Sequence, residues 1–314
     1  MPQFWRKKII LAKTEVTYAV DPLPLAANGI LAVDVTLSGM DGNDVARNLD
    51  LPFLGAQGTV PTALHQKLSF KVELAGSGIA GTAPKWGPLL RACACAQTIV
   101  ATTSVTYNPV SDAHESVTFY IWIDSTLYAI PGSRGTVKLN LTTQAIPYLE
   151  FEFTGLYRVP AETARITPDL AGYVKPQVVS KANTPLFTLN GQALTMRDAM
   201  LDLGNAVEPR FLVGQGAGAE SIIITQRQDV FTCRVEAVPV TTFNPYALAA
   251  AATQVPVVLT HGTVAGNRAT LNIPRAQMQR PQGLENAQDI VEWPLRMEAV
   301  LGAAGNDQWT LVLT

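Results

Sequence analysis

TVKLNLT (residues 136–142) and LEFEF (residues 149–153) alternate apolar and polar side chains without interruption. A strand turns successive side chains to opposite faces, so Val137, Leu139 and Leu141 share one face while Lys138 and Asn140 share the other. Leu149, Phe151 and Phe153 are set against Glu150 and Glu152 in the same way. The period recurs upstream in LSFKVEL (68–74), and VTFYIWI (117–123) is a run of β-branched and aromatic residues. Asp124-Ser125 and Pro131-Gly132 supply turn signals. Helical spacing is confined to WGPLLRACACAQ (86–97) and NPYALAAAAT (244–253), where Asn244 is placed as N-cap and Pro245 as the first helical residue. The expected fold class is mainly β.

Composition says what surrounds that fold. The 314 residues suffice for two domains, each with its own core. Charged residues are 15% against roughly 25% in ordinary soluble proteins, and apolar residues reach 47%. Mean hydropathy is +0.16. So little charge implies surface buried against something else. A membrane is a poor candidate, because the longest apolar stretch, residues 247–258, is broken by Gln254 and Pro256. Protein partners fit better. The N-terminal apolar run 9–12 is too short for a secretory signal, and three cysteines (Cys93, Cys95, Cys233) make a poor disulfide framework, so the chain reads as intracellular. A net charge of −2 gives no basic field for gripping nucleic acid.

The second half repeats the first in order. VDVTLSG (33–39) corresponds to AMLDLG (199–204), DVARNL (44–49) to VEPRFL (207–212), and FKVELA (70–75) to CRVEAV (233–238). A short helix follows in each half. RGTVKLNL from Arg134 then matches RATLNIPR from Arg268, and YLEFEFTG from Tyr148 matches IVEWPLRMEAV from Ile290. Matches in register point to duplication, with an extra hairpin in the first copy around 105–130. Pro160, Pro168, Pro176 and Pro185 mark an extended connector. The expected division is an N-terminal arm 1–28, a first domain 29–157, a linker 158–188 and a second domain 189–314.

No catalytic or metal-binding constellation emerges from the residues. His65, His114 and His261 read as lone exposed histidines with no second ligand at metal spacing. Cys93 and Cys95 read as buried small hydrophobes that a helix would point to different sides. GQGAGAE (214–220) lacks the Lys-Ser/Thr of a phosphate cradle and reads as a contact loop; DGND (41–44) lacks the terminal Glu of a calcium loop. No nucleophile elbow appears. The expectation is a protein without catalysis or cofactor.

The stretches ELAGSGIAGTAPKWGPLLRACA (73–94), GSRGTV (132–137) and EFTGLY (152–157) resemble the major tail tube proteins of bacteriophages with long non-contractile tails. The likeness is strongest over 30–157 and continues more weakly through NGQALTMRDAMLDLGNAVEPR into the C-terminal half. It implies a tail-tube-type β-sandwich or barrel domain with a flanking helix, forming stacked rings around a barrel through which genomic DNA passes; with the duplication, two such domains stand in tandem. It implies no cofactor and no catalysis. The partners expected on this basis are the chain itself, tail terminator and distal tail or baseplate proteins, and a tape measure protein in the lumen, with double-stranded DNA passing unbound and no membrane. The location expected is the virion tail, reached from the host cytoplasm.

The residues agree with that picture. The glycine-rich loops 40–66 and 207–220 are long for hairpins and are expected to reach into the next ring, with Asp44, Arg47, Leu51, Phe53, Leu54, Glu208, Arg210 and Phe211 at the contact. Lys138, Asn140, Glu150, Glu152, Glu292 and Glu298 are candidates to line a net-negative channel. About four strands from each of six domain copies, spaced roughly 4.8 Å and tilted about 40°, close a barrel near 50 Å across, with a bore of about 35–40 Å for a duplex about 20 Å wide. Two copies per chain then give three chains per ring. The alternatives are a true hexamer with one copy lining the channel, and a carbohydrate- or receptor-binding β-sandwich module of the virion; a hydrolase on a β-scaffold lacks its nucleophile.

Overall fold

The computed structural model describes residues 4–213 and 218–314. The first half holds β1 (Lys8–Thr14), β2 (Gly29–Ile30), β3 (Val33–Ala46), β4 (Thr59–Glu73), β5 (Cys95–Val100), β6 (Ser104–Pro109), β7 (Val117–Ile123), β8 (Thr126–Thr142), β9 (Tyr148–Leu156) and β10 (Ala161–Glu162), with α1 (Gly87–Arg91) after β4. The second holds β11 (Leu186–Leu189), β12 (Gln192–Ala193), β13 (Met196–Asp202), β14 (Ala206–Arg210), β15 (Ser221–Gln226), β16 (Val230–Glu236), β17 (Gln254–His261), β18 (Ala269–Met278), β19 (Glu285–Ala287), β20 (Ile290–Ala299) and β21 (Thr310–Leu313), with α2 (Pro245–Ala250) after β16. The fold is mainly β, as the alternation predicts.

Period-two burial builds the core. Leu68, Phe70 and Val72 on β4, Val137, Leu139 and Leu141 on β8, and Leu149, Phe151 and Phe153 on β9 are all buried, while the residues between them face the other way. Phe119 reaches this row from a second layer, its ring centre 4.8 Å from that of Phe153 and 5.9 Å from that of Phe70. Each such side chain contributes roughly 1.5–3 kcal/mol through burial, which makes the alternating face the main source of cohesion between layers.

The first layer is one antiparallel sheet that crosses both halves. In the first half β3 pairs with β4, β4 with β9, and β9 with β8. In the second, β13 pairs with β16 and β16 with β20, whose far side is shared by the end of β18 and by β19. β8 and β13 join the two sets, with Lys138 opposite Asp202, Leu139 opposite Leu201 and Asn140 opposite Met200. The order of strands in the second half thus matches that in the first. In the second layer, β2–β1–β7–β8 is matched by β12–β11–β17–β18. The strand β21 lies between β18 and β6, so the second half is also stitched to the β5–β6 hairpin of the first.

β8 serves both layers, pairing with β7 at its start and with β9 and β13 at its end. Pro131-Gly132 is therefore a bulge inside a strand and not the expected turn. The β7–β8 register shifts between Val117 and Phe119, and Gly132 takes φ +62, a conformation that needs no Cβ. The buried carboxylate of Glu15 holds the bend, accepting from Gly132 N (2.7 Å), Thr118 Oγ1 (2.6 Å), Ser116 Oγ (2.5 Å) and Ala19 N (2.7 Å).

The helix expected over 86–97 stops at Arg91, and Cys95 begins a strand paired with β6, because that hairpin completes the second layer. The additional hairpin of the first half is accordingly 95–109 and not 105–130; Val117–Ile123 has its counterpart in β17. Asn244 does cap α2, its side chain accepting from Ala247 N at 3.0 Å, and Pro245 is the first helical residue. Arg134 and Arg268 do not occupy equivalent places: Arg268 precedes the part of β18 that pairs with β17, whereas Arg134 begins the part of β8 that pairs with β9. Residues 8–14, read as part of an arm, form β1, with Ile10, Leu11 and Ala12 buried against β7. Within 158–188, Val179 is buried and bonded to the first half through Ala145 O, and Tyr173 Oη bonds Gly29 O and Leu31 N.

Candidate functional site

The face of the first-layer sheet turned away from the core is mostly polar, with Met200, Tyr148 and Pro294 among its charged and hydroxyl side chains. All six lumen candidates lie on it, because each alternates with a buried neighbour on its strand. Lys138 and Asn140 stand on β8 beside Glu150 and Glu152 on β9. Glu292 and Glu298 share β20, roughly 20 Å apart at about 3.3 Å per residue. Carboxylates (Asp34, Asp41, Glu73, Glu150, Glu152, Asp198, Asp202, Glu236, Glu285, Glu292, Glu298) outnumber cations (Lys67, Lys71, Lys138, Arg197, Arg234, Arg296) on this face.

Most of these cations are already engaged. Lys71 Nζ lies 3.4 Å from Asp34 and 3.5 Å from Glu150, and Lys138 Nζ lies 3.4 Å from Asp202 across the junction of the halves. Arg234 bridges Asp198 and Glu285, at 3.2 Å to each. Glu292, only 3% exposed, receives Arg197 Nε on both oxygens at 2.8 Å. Lys67 hydrogen-bonds Asp41 at 2.7 Å and thereby holds that carboxyl below its usual range. Burial pushes Asp198 the other way. Glu298 accepts from Gln228 and Gln279. A hollow of about 450 Å³ opens on the face between Thr36, Lys67, Ser69, Thr136, Glu152 and Val207.

The contact loops are mostly strand. Residues 40–46 and 59–65 continue the β3–β4 hairpin, with Asp44 opposite Pro61, and only 47–58 forms the tip. Gln57 closes that tip by bonding Leu49 through both N and O. Leu51, Phe53 and Leu54 project from it, 55%, 79% and 106% exposed, and Arg47 is exposed beside them. The β14–β15 hairpin places Glu208 opposite Ile223 and Arg210 within 3.7 Å of Glu220, with Phe211 partly exposed at its end. A parallel bridge from Leu64 to Gly218 lays the two hairpins side by side. Residues 214–217 of the expected contact loop lie outside the described residues. Leu49, Leu212 and Val213 are exposed too and belong to the same apolar tips. The signal was present: Phe-Leu followed by Gln-Gly occurs in both loops, at 53–58 and at 211–216.

The borders of the sheet are two strands that the sequence does not single out. β3 has β4 on one side and no strand on the other, and β19 has only β20, among the described residues. Nothing in a period-two pattern marks which strand stands last.

The former candidates for chemistry are structural. His65 and His261 are buried, correcting the exposed reading: His65 Nδ1 meets Ala63 O at 2.8 Å, and His261 lies between Thr184 Oγ1 and Gln177 O. Burial lowers the pKa of His261. Cys93, Cys95 and Cys233 are free and buried, their thiols pushed up by desolvation. Among the described residues no group of three His, Cys, Asp or Glu is placed to hold a metal ion, and no helix is long and apolar enough to cross a membrane.

A family model described as phage tail tube protein matches residues 5–296. A search of curated proteins gave no match. The chain belongs to the phage tail tube protein family, a structural component of the virion tail.

Proposed function

We propose that the two halves are tandem copies of one tube domain, and that three chains close into a ring of pseudo-sixfold symmetry whose rings stack into a hollow tube for ejected DNA. The observation that carries this reading is the β8–β13 pairing. It makes the two halves a single open sheet with four strand positions from each, and three such sheets supply about 24 strands, a barrel near 50 Å in backbone diameter. The polar face lines the bore. Most of its cations are neutralised by neighbouring carboxylates, so phosphates passing at speed find little to bind. The exposed Phe-Leu tips of the two hairpins join one ring to the next, burying apolar surface that a lone chain leaves in water.

In this reading the chain is structural and not catalytic. Its partners are itself, a tail terminator, distal tail or baseplate proteins, and a tape measure protein within the bore during assembly. A true hexamer needs one half to be excluded from the channel, which the shared sheet disfavours. A carbohydrate- or receptor-binding module needs a cluster of exposed aromatics, and the exposed aromatics are spread over the hairpin tips (Phe53, Phe211), the N-terminal segment (Phe4, Trp5) and α2 (Tyr246). Negative-stain microscopy of the purified protein decides: hollow tubes are expected, and a monodisperse single chain at high concentration contradicts the proposal.

A further inference from the structure

The junction inside the chain is a template for the junction between chains. β13 stands where β3 stands in the first half: Met200 opposes Thr232 of β16, and Thr36 opposes Ser69 of β4. Ser69 and Thr232 occupy the same place, two residues before Lys71-Val72-Glu73 and Arg234-Val235-Glu236. The outer strand is matched likewise. Asn140 opposes Tyr148, which opposes Glu73; Glu285 opposes Glu292, which opposes Glu236. Within the chain Met200 faces Asn140. Their counterparts, Thr36 and Glu285, lie on the two borders that no strand covers among the described residues.

We infer that a second copy of this chain docks along this border, antiparallel, with Thr36 of one copy opposite Glu285 of the next. This rests on the ring reading above and narrows it to one register. The joint is shorter than the internal one, because residues 280–284, with Pro281 and Gly283 (φ +142), leave the ladder between Met278 and Glu285. β3 is bulged at Asp34 (φ +54), and Lys8 Nζ covers Val35 O at 3.1 Å. A bulge, a proline and a covering lysine are the means by which sheet borders avoid indiscriminate pairing. They leave a few residues on each side for a partner of matched shape.

The test is a pair of cysteines in assembled tubes. Thr36→Cys with Glu285→Cys places thiols on directly opposed residues, within disulfide reach, whereas Ser38→Cys with Ala287→Cys sets them several residues apart. The native thiols are buried, so background oxidation is low. Mild oxidation is expected to link the first pair into covalent rings at least about tenfold faster than the second. Tubes in which the first pair stays unlinked, or in which only the second links, overturn the register. Amide exchange on the unmodified chain gives an answer independent of the variants: residues 33–37 and 285–287 are expected to slow by about tenfold or more on assembly, and unprotected amides in intact tubes overturn the joint. If the unmodified chain forms no tubes, the ring reading itself falls, an outcome distinct from tubes with a different joint.

Discussion

Glu15 Oε1 accepts the Gly132 amide at 2.7 Å, tying β1 to the bend at which β8 leaves one layer for the other. Glu15 is buried and takes three further donors, from Thr118, Ser116 and Ala19. Removing the acceptor strands those donors away from water, at about 1–3 kcal/mol for each that finds no substitute. Glu15→Ala is expected to lower the unfolding free energy of the unassembled chain by about 3 kcal/mol or more, read from denaturant midpoints. A change under about 0.5 kcal/mol, typical of an ordinary surface site, contradicts this role.

The junction of the halves joins a charged pair and an apolar pair. Leu139 and Leu201 are opposed and buried, while Lys138 and Asp202 lie 3.4 Å apart and partly exposed. Leu201→Ala is expected to cost about 2–5 kcal/mol, and Lys138→Ala less than about 1 kcal/mol. Thermal unfolding of both variants checks the ordering; a larger effect from Lys138 reverses it.

Burial pushes Asp229 up to about 6, although Trp309 Nε1 bonds its Oδ1 at 2.9 Å. A folded-state pKa above the unfolded value of about 3.9 favours the neutral acid in the native chain. This contribution is present at low pH and is lost as pH rises through about 6. Asp229→Asn keeps an acceptor for Trp309 and removes the charge. The variant is expected to be more stable than the native chain at pH 7, by on the order of 2 kcal/mol, with the difference shrinking towards pH 4. Denaturant midpoints at the two pH values measure it, and a constant difference contradicts the assignment.

Phe53 is largely and Leu54 fully in water in the single chain. Phe53→Ser with Leu54→Ser is therefore expected to shift chain stability by less than about 0.5 kcal/mol while shortening tubes or leaving free rings. Deleting residues 57–62 is expected to act in the same direction. Sedimentation and tube length by microscopy provide the check, and full-length stacking in either variant removes the tips from the ring contact.

The strands and their faces were legible because burial on one side imposes a period that survives any change of partner. Leu68-Phe70-Val72 and Leu149-Phe151-Phe153 declare their inward face without reference to the rest of the chain. The bend at Gly132 was not legible, since Pro-Gly marks a turn and a bulge alike, and the carboxylate that decides between them lies far upstream at Glu15. β1 escaped notice because its apolar run is continuous and short, and Cys95 was lost to a helical spacing that the pairing of Gln97 with Tyr107 overrides. The lumen candidates share a face because alternation fixed it. The borders at Thr36 and Glu285 depend on strand order, which no local pattern encodes.

Symmetry of the assembled particle tests the central claim most directly. A cryo-microscopy cross-section of the tube is expected to show three chains per ring and an inner wall of about 24 strands with pseudo-sixfold repeat, the β8–β13 and β19–β3 joints alternating around it. Six chains per ring, with only one half of each facing the bore, contradicts the account.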